Sequence, residues 1–399
     1  MRKKNKRSLL IVDLSTSSRT AGARIIPLVD YFVKSGYQVY LLINQATKKH
    51  YFELFGSLAK KITVETFPFS KNFPGGKFLL GLEYLKRVII SPFVRINKKI
   101  NVIYSLTGII CDVFPSFIFK LRTKKIWVAN IDNIEAPPSQ KPGSYLVNLF
   151  SFLGFRFSLF FLRWADLVFV TTPLKEVETT LIKGGISPEK IVLSNNGIPF
   201  DYIQKIKEPQ KPVYSAIFMG RIHQGKGVFD LVKIWKKVVR KISSVGRLVF
   251  LGTGDKETIT KLKNLIRKNK LTTKITLAGF MEGKAKYQIL KSSQVFLYPS
   301  YYDANPISTV EALACGLPVV VYDLPIFIEH YPRDIIEIVP KGDINKFSEK
   351  AFALLNDPKK RRAMAERGKK WAKGFNWEEI FRKQEKIITR LLKKKCPEK

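Results

Sequence analysis

Gly220-Arg221-Ile222-His223-Gln224-Gly225-Lys226-Gly227 lies between an apolar run (215–220) and a helical pattern. About eighty residues later comes Asp303, then seven residues, then Glu311-Ala312-Leu313-Ala314-Cys315-Gly316-Leu317-Pro318-Val319-Val320. The first stretch puts two cations five residues apart in a glycine-flanked turn between a strand and a helix. The second sets two carboxylates around a helix start. Cations, a carboxylate and free helix N–H groups together suit a nucleotide diphosphate sugar: charge for the phosphates, paired oxygens for the ribose.

On either side of these stretches, short apolar runs alternate with helical patterns, as in β/α units building parallel sheets. Strands are expected at 8–14, 37–43, 62–67, 102–106, 126–131 and 167–172, then at 215–220, 248–251, 275–278, 295–299 and 319–322. The polar, proline-containing stretch 205–212 reads as a linker. The expected organisation is a first domain over 1–204, a second over 205–374 and a terminal helix over 375–399. Ligands of such doubly wound sheets bind at the carboxyl ends of the strands.

The two stretches resemble the retaining glycosyltransferases of family 4, often called group 1. The resemblance continues in Ala165-Asp166-Leu167-Val168-Phe169-Val170-Thr171, in Leu248-Val249-Phe250-Leu251-Gly252-Thr253-Gly254, in Ile275-Thr276-Leu277-Ala278-Gly279-Phe280 and in Asn376-Trp377-Glu378. It is close over about 165–390 and weak over about 44–160. It implies an α/β architecture of GT-B type: two Rossmann-like domains facing across a cleft, with the C-terminal helix returning to the first.

The resemblance also assigns residues. Arg221 and Lys226, next to Gly220, would stabilise charge on the departing diphosphate, in place of a divalent metal. Glu311 would accept hydrogen bonds from the ribose hydroxyls. Asp303 stands where the family usually has Glu and would face the donor sugar or the site's backbone, with a side chain one methylene shorter. Asn305 would cap the helix and Pro306 occupy its first turn, leaving N–H groups of Ile307, Ser308 and Thr309 for the distal phosphate. Gly22, in Thr20-Ala21-Gly22-Ala23-Arg24, would let backbone approach the diphosphate, and Gly279 with Phe280 would meet the base. The histidine that many members carry in the first domain is missing: His50, His223 and His330 are the only histidines, and the stretch reads Ile126-Trp127-Val128-Ala129-Asn130-Ile131-Asp132-Asn133. Two readings stand for Asp132, an acceptor-side residue or a turn residue. His223 reads as incidental.

Composition sets the outer bounds. The chain has 399 residues, 45% hydrophobic, enough for two cored domains. Cys111, Cys315 and Cys396 are too scattered for a disulfide framework or zinc site and fit a reducing cytosol. The basic start followed by 8–14 reads as a first strand rather than a leader. A formal charge of +38 points to an anionic membrane surface, to polyanions, or to a generally lysine-rich surface. No nucleic-acid motif accompanies it, so no specific nucleic-acid partner is expected. Lys77–Ile90 and Tyr145–Leu162 are unusually apolar helical stretches with basic residues among them. Tyr145–Leu162 sits at the lower length limit for a span and reads better as a buried or interfacial helix.

The resulting expectation is a metal-independent, retaining glycosyltransferase, cytoplasmic and peripheral on the inner membrane face. Its donor would be a nucleotide diphosphate sugar such as a UDP- or GDP-sugar, with no further cofactor. Its acceptor would be a glycan or a lipid-linked glycan. The rival is a non-catalytic GT-B scaffold binding nucleotide sugar or polyanions.

Overall fold

The computed structural model describes residues 7–15, 22–68, 77–97, 99–140, 144–210, 212–242 and 245–395. The chain divides into two compact units, one of 1–196 with 380–399 and one of 197–379.

In chain order the first unit has β1 (Ser8–Asp13), α1 (Gly22–Lys34), β2 (Gln38–Asn44), α2 (Lys48–Phe55), β3 (Thr63–Phe67), α3 (Lys77–Ile90) and β4 (Val102–Ser105). It continues with α4 (Ile110–Thr123), β5 (Ile126–Ile131), α5 (Tyr145–Leu162), β6 (Leu167–Val170), α6 (Lys175–Lys183) and β7 (Ile191–Leu193). Its sheet runs β3-β2-β1-β4-β5-β6-β7, every pair parallel. β1, β4 and β5 are buried throughout because helices cover both faces, so they read as largely apolar runs, with Asp13, Ser105 and Asn130 the buried polar exceptions toward their carboxyl ends.

The second unit has α7 (Phe200–Lys205), β8 (Tyr214–Met219), α8 (Val228–Lys241), β9 (Arg247–Leu251), α9 (Lys256–Lys268), β10 (Ile275–Gly279), α10 (Gly283–Lys291) and β11 (Ser293–Tyr298). Then come α11 (Ile307–Ala314), β12 (Val319–Tyr322), α12 (Pro325–His330), β13 (Ile336–Val339), α13 (Ile344–Asn356) and α14 (Pro358–Ala372); α15 (Trp377–Lys395) follows and passes into the first unit at Ile380. The sheet order is β10-β9-β8-β11-β12-β13, again parallel. Strand order reverses between β1 and β4 in one sheet and between β8 and β11 in the other. The loops leaving those neighbours diverge there, opening a crevice at the carboxyl ends.

Two strands escape the sequence pattern, β7 and β13. Each is a short edge strand, and β7 is only half-buried, so neither shows a strong apolar run. The unit boundary falls at Asn196–Gly197, earlier than the expected 204–205, because α7 packs on α11, with Gln204 Nε2 donating to Ala314 O at 2.8 Å. Gly197 lies under the Trp377 ring, where a Cβ would come within 2.4 Å. Ile198 N–H donates to Phe375 O at 2.8 Å and Trp377 N–H to Ile198 O at 3.3 Å, tying the two crossings of the chain together. From Ile380 on, α15 belongs to the first unit. Ile380, Phe381 and Ile388 are buried there; Tyr31 OH donates to Glu385 at 2.8 Å and Gln384 Nε2 to Ser194 Oγ at 2.8 Å.

Candidate functional site

The loop after β8 is laid against the loop after β11. Gly227 has φ +68° and a Cβ on it would sit 1.8 Å from Pro299 O, so only glycine fits. Tyr301 N–H donates to Gly225 O at 2.9 Å. Ile222 is buried and its N–H donates to Thr253 O at 2.8 Å, pinning the loop to the one after β9. His223, expected to be incidental, accepts the Gly225 N–H on Nδ1 at 3.1 Å and caps the single turn Gln224–Lys226.

This crossing brings Lys226 onto Asp303: Nζ to Oδ2 is 2.7 Å, with side chains 12% and 14% exposed. The same oxygen accepts Tyr298 OH at 2.6 Å, and Oδ1 accepts Asn305 N–H at 3.2 Å. The Tyr298 and Tyr302 rings lie 5.5 and 5.4 Å from the Lys226 ammonium. Burial, then the Asp303 charge and its hydrogen bond, push the Tyr298 hydroxyl well above its ordinary pKa, so it stays a donor. The two residues expected to meet phosphate and sugar separately are thus one ion pair. Arg221 is exposed and makes no hydrogen bond or ion pair among the described residues.

Glu311 sits on α11, 8% exposed. Its Oε1 accepts both Lys286 Nζ at 2.7 Å and Tyr287 OH at 2.6 Å, donors from α10. Burial first, then the Glu311 charge and hydrogen bond, raises the Tyr287 hydroxyl strongly. Neither Lys286 nor Tyr287 was legible as a site residue: nothing in their local spacing marks them. The helix start differs by one residue from expectation. Pro306 takes the cap position without a side-chain cap, and Ile307 and Thr309 spend their N–H groups on Asn305 O and Pro306 O, both at 2.9 Å. The Ser308 side chain is turned to Tyr298, and the fully buried Thr309 hydroxyl has no partner among the described residues. Gly279 has φ +76° with open space where a Cβ would go, and Phe280 beside it is 64% exposed. Gly220 lies between Gly252 and the Phe218 ring: a Cβ on Gly252 would come 1.9 Å from Gly220 O.

In the first unit Asp132 follows β5 and gathers partners. Its Oδ1 accepts Arg24 Nη2 at 2.5 Å, Thr171 Oγ1 at 3.0 Å and Asn130 Nδ2 at 3.4 Å. Arg24 also donates to Asn196 Oδ1 at 2.5 Å. Asp132 is therefore the centre of a polar cluster at the ends of β5 and β6, more than a turn residue. Gly22 opens α1; Thr20 and Ala21 lie outside the described residues.

A second buried network there was missed from sequence. Asp112, at the start of α4, accepts Leu14 N–H at 2.6 Å, Ser15 N–H at 2.9 Å and Thr107 Oγ1 at 2.6 Å. Tyr51 donates to Asp13, and Arg87 donates to Leu14 O. Arg87, one of the basic residues in the apolar stretch Lys77–Ile90, is 1% exposed and so is no part of the exposed face of α3. Burial and the neighbouring Asp13 charge raise the Asp112 carboxyl.

Residues 200–371 match the family described as glycosyl transferases group 1. An uncharacterized glycosyltransferase of Methanocaldococcus jannaschii is 22% identical over 91% of this chain and 94% of its own length. The capsular polysaccharide biosynthesis glycosyltransferase CapM of Staphylococcus aureus is 24% identical over 57% of this chain and 65% of its own length. Among solved structures, sucrose-phosphate synthase of Thermosynechococcus elongatus superposes with TM-score 0.73 at 16% identity, covering 97% of this chain and 99% of that one. HepE of Anabaena in complex with UDP gives 0.70 at 16% identity, covering 96% and 100%. The paired parallel sheets and these likenesses give the chain the GT-B fold, and residues 200–371, which hold the glycine-pinned cation loop, carry its match to the glycosyl transferases of group 1.

Proposed function

We propose that this chain moves a sugar from a nucleotide diphosphate sugar, such as a UDP- or GDP-sugar, to a glycan or lipid-linked acceptor, with retention at the anomeric carbon and without a metal. The observation that carries the reading is the Lys226–Asp303 pair, held with the exposed Arg221 at the carboxyl ends of β8 and β11. As the C1–O bond to the diphosphate breaks, charge grows on the phosphate oxygens. Arg221 and Lys226 stabilise it. The acceptor oxygen bonds to C1 on the same face, and its proton passes to the leaving phosphate.

Asp303 and Tyr298 hold the Lys226 ammonium in place until phosphate shares it. Glu311 takes the ribose diol; Lys286 and Tyr287 hold one of its oxygens and fix its aim. The start of α11 at Ser308 and Gly220 line the phosphates, Gly279 and Phe280 the base, and the Gly22 backbone meets the diphosphate. Asp132 orients the acceptor hydroxyl. The solved HepE complex with UDP and glucose supports a UDP-sugar donor. The charge of +38 supports a cytoplasmic protein resting on an anionic membrane face.

The test is a thermal-shift and hydrolysis screen against UDP-, GDP-, ADP- and dTDP-sugars in chelator. One sugar nucleotide should stabilise the protein and be slowly hydrolysed. No stabilisation by any at millimolar concentration would sink the reading.

A further inference from the structure

α5 is eighteen residues long and only 22% buried. Phe155, Leu159 and Leu162 face the core, packed with α4. On the opposite side Leu146, Phe150, Leu153, Phe157 and Phe160 recur every three or four residues, so they form one stripe. They are 42% to 62% exposed. The neighbouring helix α3 also exposes Leu82, Leu85 and Ile89. A soluble domain rarely leaves so much contiguous apolar surface uncovered.

Arg156 and Arg163 stand two turns apart and flank this stripe. With Lys183 at the end of α6 they line a groove of about 430 Å³ whose walls are Leu153, Phe157, Phe160 and Phe161. No acid lines it. Arg163 Nε donates to Gly184 O at 2.8 Å, and its guanidinium lies 5.3 Å from the Phe160 ring. Arg156 and Lys183 make no hydrogen bond or ion pair among the described residues. The groove therefore asks for one negative charge and a long apolar body.

We propose that this groove seats the phosphate headgroup of an anionic bilayer lipid, with the α5 stripe lying in the acyl layer. The proposal rests on the membrane-surface reading above and deepens it by naming the seat. Charge complementarity selects the occupant. Three cations without an acid in the groove, set beside apolar side chains, match an anionic leaflet, where basic stems lie along hydrocarbon and their heads reach phosphate. A second copy of the chain would bring the same cations face to face. A protein partner's apolar face would leave them buried and unpaired.

Flotation of the full chain at physiological salt tests this, with vesicles of phosphatidylcholine alone and of phosphatidylcholine with phosphatidylglycerol. The wild type should float only with the anionic vesicles. Arg156→Glu with Lys183→Glu should lower binding at least about tenfold, and Phe150→Ser with Phe157→Ser should lower it comparably. All these residues are exposed and outside the donor loops, so sugar-nucleotide hydrolysis and melting temperature should not move. Wild-type binding that both variants retain would overturn the groove while leaving the membrane reading intact. No wild-type binding to either vesicle would overturn both. Self-association abolished by the phenylalanine variant would assign the face to a second copy and overturn the lipid.

Discussion

Arg221 and Lys226 are two of 70 basic residues, and local spacing singles them out, but their circumstances differ. Arg221 is exposed and has no partner among the described residues, so Arg221→Ala should cut turnover on the order of a hundredfold, about 3 kcal/mol of barrier, at unchanged melting temperature. Lys226→Ala should lose turnover as strongly and also lower stability, by roughly 3 kcal/mol, because it strands the largely buried Asp303 carboxylate. Steady-state kinetics and thermal melts of the two variants check this; an unchanged melt for Lys226→Ala would deny the ion pair its structural role. Asp112 offers a pH test. Its carboxyl is raised from the ordinary range to about 7, by burial and then by Asp13. Between about pH 4 and 7 the folded state then holds a proton that the unfolded chain has lost. Its contribution is therefore full at acid pH and falls as pH rises towards 7. Asp112→Asn keeps an acceptor for Leu14 and Ser15, so it should flatten this part of the stability–pH curve. Denaturant melts across that range read the difference from wild type. No sequence cue marked Asp112, because its role depends on strand ends brought together from 98 residues away.

At the scale of elements, the glycine-rich loop was legible as a phosphate-type turn, but its reason was not. Gly227 is required by a backbone oxygen 72 residues further on, Pro299 O. Gly227→Ala should abolish turnover and destabilise the second unit by more than the 1–2 kcal/mol of a left-handed residue, since the 1.8 Å approach forces the loops apart. Calorimetry on the variant reads it; a wild-type melt would mean the loops do not cross as described. Strands in the doubly wound cores showed plainly in the sequence because burial on both faces makes them largely apolar. β7 and β13 did not, being three- and four-residue edges. α5 was recognised as a helix, yet its sequence is apolar nearly all round; only packing against α4 divides a buried side from an exposed one.

Across the whole molecule, the chain visits the first unit, then the second, then returns in α15. Ile380, Phe381 and Ile388 each bury a side chain in the first unit, worth roughly 2 kcal/mol apiece. A chain ending at Glu379 should therefore melt in two steps, the first unit's transition moving down by many degrees while the second's hardly shifts. A single unshifted transition would show that α15 adds nothing to the first unit. The +38 charge belongs to this scale too, and raised salt should weaken any membrane binding it drives.

Residue order was enough for the parallel α/β architecture, for the group to which residues 200–371 belong, and for the positions of Arg221, Lys226, Asp303 and Glu311 in or beside strand-end loops. Those are local matters: hydrophobic period, glycine placement and motif spacing are all written within a few residues of one another. The pairing of Lys226 with Asp303, the clamp of Lys286 and Tyr287 on Glu311, the buried Arg87 and the cation-lined groove on α5 emerged only with the folded chain. Each joins side chains from separate elements. Burial and partnership are properties of the packed layers, so no window along the chain contains them.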